Sequence, residues 1–307
     1  MTYTLYKLRY KTPVLFGRGR LGKTAFTFYA DTLFSAMCIE AEKMKPDGSK
    51  WLYDAAVSGG LCLSDGMLYV ADSLFIPKPM TEIKAAESGD PGLKKQFKKL
   101  SYIPLTDLDA YLSGNYDPTH ANELLEGLGK YSEQVRVSVG RDKDSKPYSV
   151  GTFTFADDCG LYFICAADEE IVKDIDEIIK NISYTGLGGK ISSGLGKFDY
   201  TPEKVPQIIK ERLEGDYEQY MSLSVCMGSE YDDMDTVLDG AGYELIKRSG
   251  FVASSAYSDE PVKKRDFYAF KAGACFTERF KGDVFDVGGG GAHPVYRYAK
   301  PMLMGMR

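Results

Sequence analysis

Residues 185–198 read TGLGGKISSGLGKF, and the rest of the chain is organised around them. The glycines of this stretch are Gly186, Gly188, Gly189, Gly194 and Gly196. Two lysines and two serines stand among them: Lys190, Lys197, Ser192 and Ser193. Glycine lets other groups approach the backbone closely, while lysine and serine add cations and hydroxyl groups. This composition is typical of a cradle for a phosphate backbone, and a flexible surface loop is the alternative.

The flanking segments indicate which kind of cradle this is. Acidic residues at 168–170 and isoleucines at helical spacing up to Ile182 predict a helix that runs into the glycines. Residues 195–200 predict a short strand after them. Rossmann and Walker A loops have the reverse order, with the strand first and the phosphate at a helix N-terminus. A third glycine is also missing, because Ile191 stands in its place. The sequence therefore argues against mononucleotide binding by either route.

A helix, a glycine-rich loop of this composition and a strand resemble the RAMP superfamily of CRISPR RNA-binding proteins. Two more stretches agree, YKLRYKTPVLFG at 6–17 and DTLFSA at 31–36. They look like the first strand and first helix of the Csm-type fourth subunit of the type III-A effector complex. HPVYRY at 293–298 looks like the closing strand of that family. The family often has a His just before DTLFSA; Tyr29 and Ala30 stand here, so no role of that His is carried over.

The resemblance implies an α+β fold of two ferredoxin-like (RRM-like) βαββαβ units, with the glycine-rich loop and an inserted thumb-like β-hairpin. The first unit is expected over residues 1–200, with an insertion around 80–150, and a degenerate second unit over 201–307. Periodicity supports the first unit directly, through alternation in residues 2–10 and an apolar run at 161–167 that predicts a buried central strand.

Local signals predict several details of the fold. Asp31 and Thr32 are good N-caps for the first helix, and the turn dipeptide Asp65-Gly66 predicts a β-hairpin over 61–70. Residues 80–130 have a weak pattern, which indicates a mobile, partly helical insertion rather than core. Four glycines at 288–291 predict a hinge before a last strand at 295–304.

Composition indicates an ordinary globular protein of 307 residues, 44% hydrophobic and 27% charged. No apolar run approaches the ~18 residues of a membrane span, and residues 1–11 lack the apolar centre of a signal peptide, so we expect a cytoplasmic protein without a membrane partner. The six scattered cysteines predict free thiols and no zinc site.

The net charge of −6 argues against simple nucleic-acid binding. Basic and acidic residues are segregated, however, which predicts one face that meets RNA.

The nine loop residues named above are the first candidates for RNA binding, with lysines on phosphates and serines on 2′-hydroxyl groups. Further candidates are Arg18, Arg20 and Lys23 from the glycine-rich loop at 17–23, and Arg136 from a charged hairpin. For loop 17–23 the alternative is a hairpin tip that charge keeps soluble. Four lysines surround Phe97, which either meets RNA or anchors a solvated helix: Lys94, Lys95, Lys98 and Lys99.

The resemblance predicts a non-catalytic subunit without cofactor or metal that grips the 5′ handle of the crRNA. It should bridge the large polymerase-like subunit and the backbone RAMP subunit of the same complex. One alternative is a metal-independent endoribonuclease that processes guide RNA precursors, for which only His120 and His293 could serve as general base. The other is a scaffold that touches proteins only.

Overall fold

The computed structural model describes residues 1–17, 19, 21–83, 91–138, 146–254 and 256–306. Arg18, Arg20 and the tip of the charged hairpin at 139–145 lie outside the described residues. The strands are β1 (Thr2–Tyr10), β2 (Phe16–Gly17), β3 (Thr24–Ala25), β4 (Leu61–Leu63), β5 (Met67–Val70), β6 (Ser73–Pro77), β7 (Tyr102–Pro104), β8 (Gly129–Ser138), β9 (Lys146–Phe155), β10 (Cys159–Ala167), β11 (Phe198–Lys204), β12 (Tyr220–Ser222), β13 (Leu245–Arg248), β14 (Phe267–Phe270), β15 (Cys275–Phe276), β16 (Asp283–Asp286), β17 (Tyr296–Ala299) and β18 (Leu303–Gly305). The helices are α1 (Ala30–Met44), α2 (Gly48–Val57), α3 (Pro91–Lys99), α4 (Leu108–Leu112), α5 (Thr119–Glu126), α6 (Val172–Thr185), α7 (Gln207–Glu214) and α8 (Met234–Leu238).

The largest sheet has the strand order β11-β1-β10-β5-β6-β7, and β4 pairs with β10 beside β5. β1 is antiparallel to both of its neighbours, so that Tyr6 lies opposite Phe163 on one side and Pro202 on the other. All nine residues of β10 are buried, which confirms the predicted central strand. β11 runs through Pro202, which a strand tolerates at the edge of a sheet because no neighbour needs the missing amide.

Helices α1 and α6 pack beside each other, and their apolar faces belong to the same core as the sheet. Phe34 and Met37 of α1 and Ile178 and Ile182 of α6 are buried, as the helical spacing predicted. The six cysteines are free, and four of them are buried.

The predicted hairpin over 61–70 is wrong. β4 and β5 both pair with β10, with Leu63 opposite Cys165 and Met67 opposite Tyr162. Three residues of one strand therefore face two of the other, which is a β-bulge. The bulge forms because the buried Asp65 side chain accepts hydrogen bonds from the amides of Ala30 at 2.7 Å and Val225 at 2.9 Å. These tertiary bonds override the local preference of Asp-Gly for an exposed turn.

Residues 91–130 are part of the core, which corrects the expectation of a peripheral insertion. β7 adds to the main sheet next to β6, and Ile103, Leu108 and Leu128 are buried. Their apolar residues are spread over short elements, so no period was long enough to reveal them. Phe97 packs edge-on against Tyr116, with ring centroids 6.2 Å apart, which confirms that it anchors α3.

The C-terminal half, from α7 onward, has a three-stranded sheet in the order β15-β12-β18 and two ribbons, β13–β14 and β16–β17. The predicted last strand at 295–304 is two strands in different sheets, since β17 pairs with β16 and β18 pairs with β12. Pro301 lies between them and has no amide to continue a ladder.

Asp31 is not an N-cap, which corrects the prediction for α1. Tyr29 is the N-cap and makes no side-chain capping bond. The buried Asp31 carboxylate instead accepts hydrogen bonds from Arg248, through Nε at 2.9 Å and Nη2 at 2.8 Å, and from Nη1 of Arg297. Burial alone would raise the pKa of Asp31, but the two guanidinium groups outweigh it and hold that pKa below its usual range. The first helix is thereby tied to β13 and β17 of the C-terminal half.

We expect Asp31→Asn to lower the free energy of unfolding by about 3–5 kcal/mol, because two buried guanidinium groups lose their counter-ion. Urea denaturation measures the change. Asp199→Asn is the control, because Asp199 pairs with Lys11 at 2.6 Å at an exposed site, where such a pair contributes about 1 kcal/mol or less. Equal losses in the two variants would contradict the proposed role of Asp31.

Burial raises the pKa of Asp65 to about 7, against the lowering effect of its two amide donors. The unfolded value is about 3.9, so the folded state binds the proton more tightly, and the free energy of unfolding should fall as pH rises from about 4 to about 7. Asp65→Asn keeps an acceptor and removes the titration, and should flatten this fall in denaturation experiments between those two pH values. Asp65→Ala should be less stable throughout, and the same slope in Asp65→Asn and wild type would refute the assignment.

Candidate nucleic-acid interface

The glycine-rich loop is a packed structure that folds back on residues 12–15. The amides of Gly189 and Gly196 donate to the carbonyl oxygens of Leu15 at 2.8 Å and Pro13 at 2.9 Å. The amide of Gly186 closes α6 on Ile182, at 2.7 Å. These three amides are therefore used within the protein and cannot also hold a phosphate. The packing is also at odds with a flexible surface loop.

Glycine is required at Gly186 and Gly196 because another backbone passes too close for a side chain. Gly196 has a φ of +76°, and a Cβ there would lie 2.2 Å from the Leu187 carbonyl oxygen. Gly186 has a φ of +98°, with the Leu195 carbonyl oxygen 2.4 Å from the same position. Gly188 and Gly189 lie against Leu15. These four glycines shape the loop, and contacts to a ligand fall to its other residues.

The open side of the loop consists of residues 190–194 together with Lys197. A short 3-10 helix over Ile191–Ser193 carries Ser192 and Ser193, both exposed, and Gly194 ends it. Lys190 has a left-handed backbone, with a φ of +57°, at the start of this turn. Its Nζ lies 5.6 Å from the centre of the Tyr148 ring. Lys190, Ser192 and Ser193 thus belong to one turn, and Lys197 is exposed a few residues further along the loop.

The β8–β9 hairpin brings Arg136 to the same surface. Arg136 lies opposite Tyr148, and Gln134 lies opposite Val150. Val150 packs against Leu195 of the loop and against Leu15 of the segment on which the loop folds back. Since alternate residues of a strand share a face, Tyr148 and Arg136 lie on the face that meets the loop. Sequence reasoning missed Tyr148, although an aromatic residue in a basic hairpin was the available signal.

Lys23 lies on the other side of the hairpin. The amide of Gly151 in β9 donates to the carbonyl oxygen of Leu21 at 2.8 Å, which holds residues 21–25 against the hairpin. Lys23 is exposed there and lines an open groove with residues of β8 and β9. Arg136 and Lys190 therefore lie on one side of the hairpin and Lys23 lies on the other.

The two histidines lie elsewhere. His293 Nε2 lies 2.8 Å from Ser254 Oγ, and its Nδ1 lies 2.8 Å from the Pro294 carbonyl oxygen. The amides of Gly289 and Gly291 donate to the Tyr257 hydroxyl group at 2.6 and 3.0 Å, so the predicted hinge is a bonded loop. His293 contributes to that packing. His120 is exposed on α5.

Neither a metal site nor a membrane span is found among the described residues. Within those ranges, no three His, Cys, Asp or Glu side chains gather where they could hold a metal ion. None of the described helices has the length and apolar character needed to cross a bilayer.

The chain is similar to known proteins over almost its whole length. Residues 215–306 match the family model of the CRISPR Csm4 C-terminal domain. The chain is 35% identical over 293 residues to the CRISPR system Cms protein Csm4 of Mycobacterium tuberculosis (strain ATCC 25618 / H37Rv), covering 95% of this chain and 94% of that protein. It is 31% identical over 313 residues to the Csm4 protein of Streptococcus thermophilus, covering 99% and 98%.

Two solved structures share the fold. The chain is similar to a chain of the Csm3-Csm4 subcomplex of the type III-A CRISPR-Cas interference complex, with a TM-score of 0.67, 20% identity and full coverage of both chains. It is also similar to a chain of the Csm1-Csm4 cassette in complex with cA4, with a TM-score of 0.61, 17% identity and coverage of 99% and 98%. The mixed α/β fold is therefore that of proteins from CRISPR systems. Within this class the chain belongs to the Csm4 family, which confirms the resemblance seen in the sequence.

The glycine positions can be tested with alanine. Gly196→Ala should lower the free energy of unfolding by about 3 kcal/mol, because backbone strain adds to the clash with Leu187. Gly194 also has a positive φ, of +83°, but no atom lies within 4 Å of its Cβ position, so Gly194→Ala should cost only about 1 kcal/mol. Thermal or urea unfolding compares the two variants. A larger loss at Gly194 would contradict the described packing.

Proposed function

We propose that the protein is a non-catalytic RNA-binding subunit of a type III-A CRISPR effector complex and that it grips the 5′ handle of the crRNA. The observation that carries this proposal is the gathering of Lys190, Tyr148 and Arg136 where the hairpin meets the glycine-rich loop. Family membership supports it, because the Csm3-Csm4 relative comes from a type III-A interference complex.

The polar and aromatic groups at this surface suit single-stranded RNA; Ser192, Ser193 and Lys197 are exposed, and Lys190, Arg136 and Tyr148 are half-buried. Lys190, Lys197 and Arg136 supply cations for phosphates, and the hydroxyl groups of Ser192 and Ser193 can meet 2′-hydroxyl groups. The Tyr148 ring offers a surface on which a base can stack. In this proposal the nine loop residues divide into four glycines that hold the shape and the residues of the open side, Gly194 among them, that face the RNA. None of this requires a catalytic group.

The strand order supports the predicted ferredoxin-like first unit. The sheet has the order β11, β1, β10 and then the two successive strands β4 and β5, which both pair with β10. In the chain, α1 follows the first strand and α6 precedes the last. This is the order of a βαββαβ unit, and we take β8–β9 as its thumb. In the C-terminal half, β12 lies between β15 and β18 in a three-stranded sheet. The short helix α8 follows β12 in the chain, and this strand and helix content supports a degenerate second unit. The proposed boundary near residue 200 falls within the β11 strand.

The proposed partners follow from the two similar solved structures, which contain Csm4 with Csm3 and Csm4 with Csm1. By analogy, this chain would bridge the backbone RAMP subunit and the large polymerase-like subunit. As the sequence analysis predicts a cytoplasmic protein, we propose that handle binding takes place in the cytoplasm.

A binding titration with a labelled single-stranded RNA handle at several salt concentrations tests the proposal, with and without the partner subunits. Lys190→Ala/Lys197→Ala should weaken binding and flatten the plot of log affinity against log salt by up to about 0.7 for each phosphate left without its lysine. Lys94→Ala/Lys95→Ala is the matched control, because it removes two exposed lysines of α3 and should leave the slope nearly unchanged.

The same titration separates the alternatives. Unchanged binding in the Lys190→Ala/Lys197→Ala variant would remove the loop from the RNA site, and the absence of any RNA binding would favour a protein-only scaffold. RNA cleavage without metal, abolished on changing His120 or His293, would favour an endoribonuclease.

A further inference from the structure

An open groove of about 490 Å³ lies between residues 22–24 and the β8–β9 hairpin. Its volume lies within the range of about 300–1,000 Å³ that is usual for small-molecule sites. Its lining includes Gly22, Lys23, Tyr131, Glu133, Gly151 and Thr152. The groove follows the same hairpin whose opposite face meets the glycine-rich loop. It is large enough for one unit of a longer ligand.

The floor of the groove is bare backbone. A Cβ on Gly151 would lie 2.5 Å from the Gly22 carbonyl oxygen, so the two chains touch without side chains between them. Glu133 extends over this floor, with its Oε1 atom 3.5 Å from the Cβ position of Gly22. Thr152 is buried. The carboxylate is therefore placed beside a stretch of backbone that no side chain covers at Gly22 and Gly151.

One wall is an aromatic ring that its neighbours hold in place. Tyr131 is 57% exposed, and its ring packs edge-on against Phe153 with centroids 4.8 Å apart. Phe153 is itself buried and contacts Phe155 and Phe26, at 5.0 and 5.8 Å. Tyr131 thus presents ring surface to solvent from a fixed base. Such a ring is a stacking surface for an unstacked base.

The groove carries both signs of charge. Neither Lys23 nor Glu133 forms an ion pair with another described residue. A cation suits a phosphate, whereas a carboxylate repels phosphate and accepts hydrogen bonds from N–H donors of a base. An arginine from a protein would suit Glu133 and Tyr131 but would be repelled by Lys23. A nucleotide satisfies all three side chains.

We propose that this groove binds a single unstacked ribonucleotide of the RNA and prefers guanine. Guanine presents two adjacent donors on its Watson–Crick edge, N1–H and the N2 amino group, which match the two oxygens of Glu133. Adenine, cytosine and uracil present one donor group each, and only the bidentate match gives strong discrimination. Tyr131 stacks on the base and Lys23 meets a phosphate. This inference rests on the proposed RNA-binding function and adds base selection to it.

Short oligouridylates that carry one central guanine, adenine or cytosine test the preference on the full-length protein. Wild type should bind the guanine RNA about tenfold more tightly than the other two. Glu133→Gln should abolish this preference without weakening the adenine and cytosine complexes. Tyr131→Ala should weaken all three about tenfold, and Tyr131→Phe, which keeps the ring, should behave as wild type.

The outcomes distinguish this inference from the proposed function. Equal affinity of wild type for the three RNAs, with Lys190→Ala/Lys197→Ala still weakened, would overturn the guanine groove and leave RNA binding intact. No binding of any RNA by wild type would overturn both. If Tyr131→Ala released a partner subunit while RNA affinity stayed unchanged, the groove would be a protein interface and the inference would be wrong.

Discussion

The Asp31 carboxylate, buried between two guanidinium groups, is the constraint on which the two halves of the protein depend. Arg248 and Arg297 come from different ribbons of the C-terminal half and reach the first turn of α1. Arg297 keeps two buried N–H groups, Nε and Nη2, without a partner among the described residues. Asp31 therefore supplies the main compensation for the buried positive charge of Arg297, because an unpaired buried charge is costly. Asp65 adds a second tie, since it accepts amides from both halves.

The structure held together by these bonds positions a surface whose charge differs from that of the whole protein. The chain has a net charge of −6, yet Arg136 and Lys190 lie together on the loop side of one hairpin, and Lys23 lies on its other side. The hairpin is held through Val150 on one face and Phe153 on the other. Local charge, rather than net charge, decides whether such a surface can meet phosphates. In the proposed RNA interface, the packed glycines give the loop its shape and the turn at residues 190–194 supplies the contacts.

Where sequence patterns and structure differ, a tertiary interaction is the cause. The Asp-Gly turn signal at 65–66 predicts a hairpin, but both amide partners of Asp65 come from segments distant in sequence. Asp31 has the sequence signature of an N-cap and is used by arginines more than 200 residues away. The candidate site shows the same limit. The lysines and serines of the loop were evident in the sequence, whereas Tyr148 was identified from its position opposite Arg136.

Local sequence patterns were enough to identify β1, β10, α1, α6 and the glycine-rich loop, together with the family. Periodic burial of one face is encoded within each segment, so these could be read directly. Tertiary packing was needed to show which loop amides bond within the protein, which carboxylates are buried, and which cations lie near one another. Those properties depend on which residues far apart in the chain become neighbours in space, and that is decided when the segments pack.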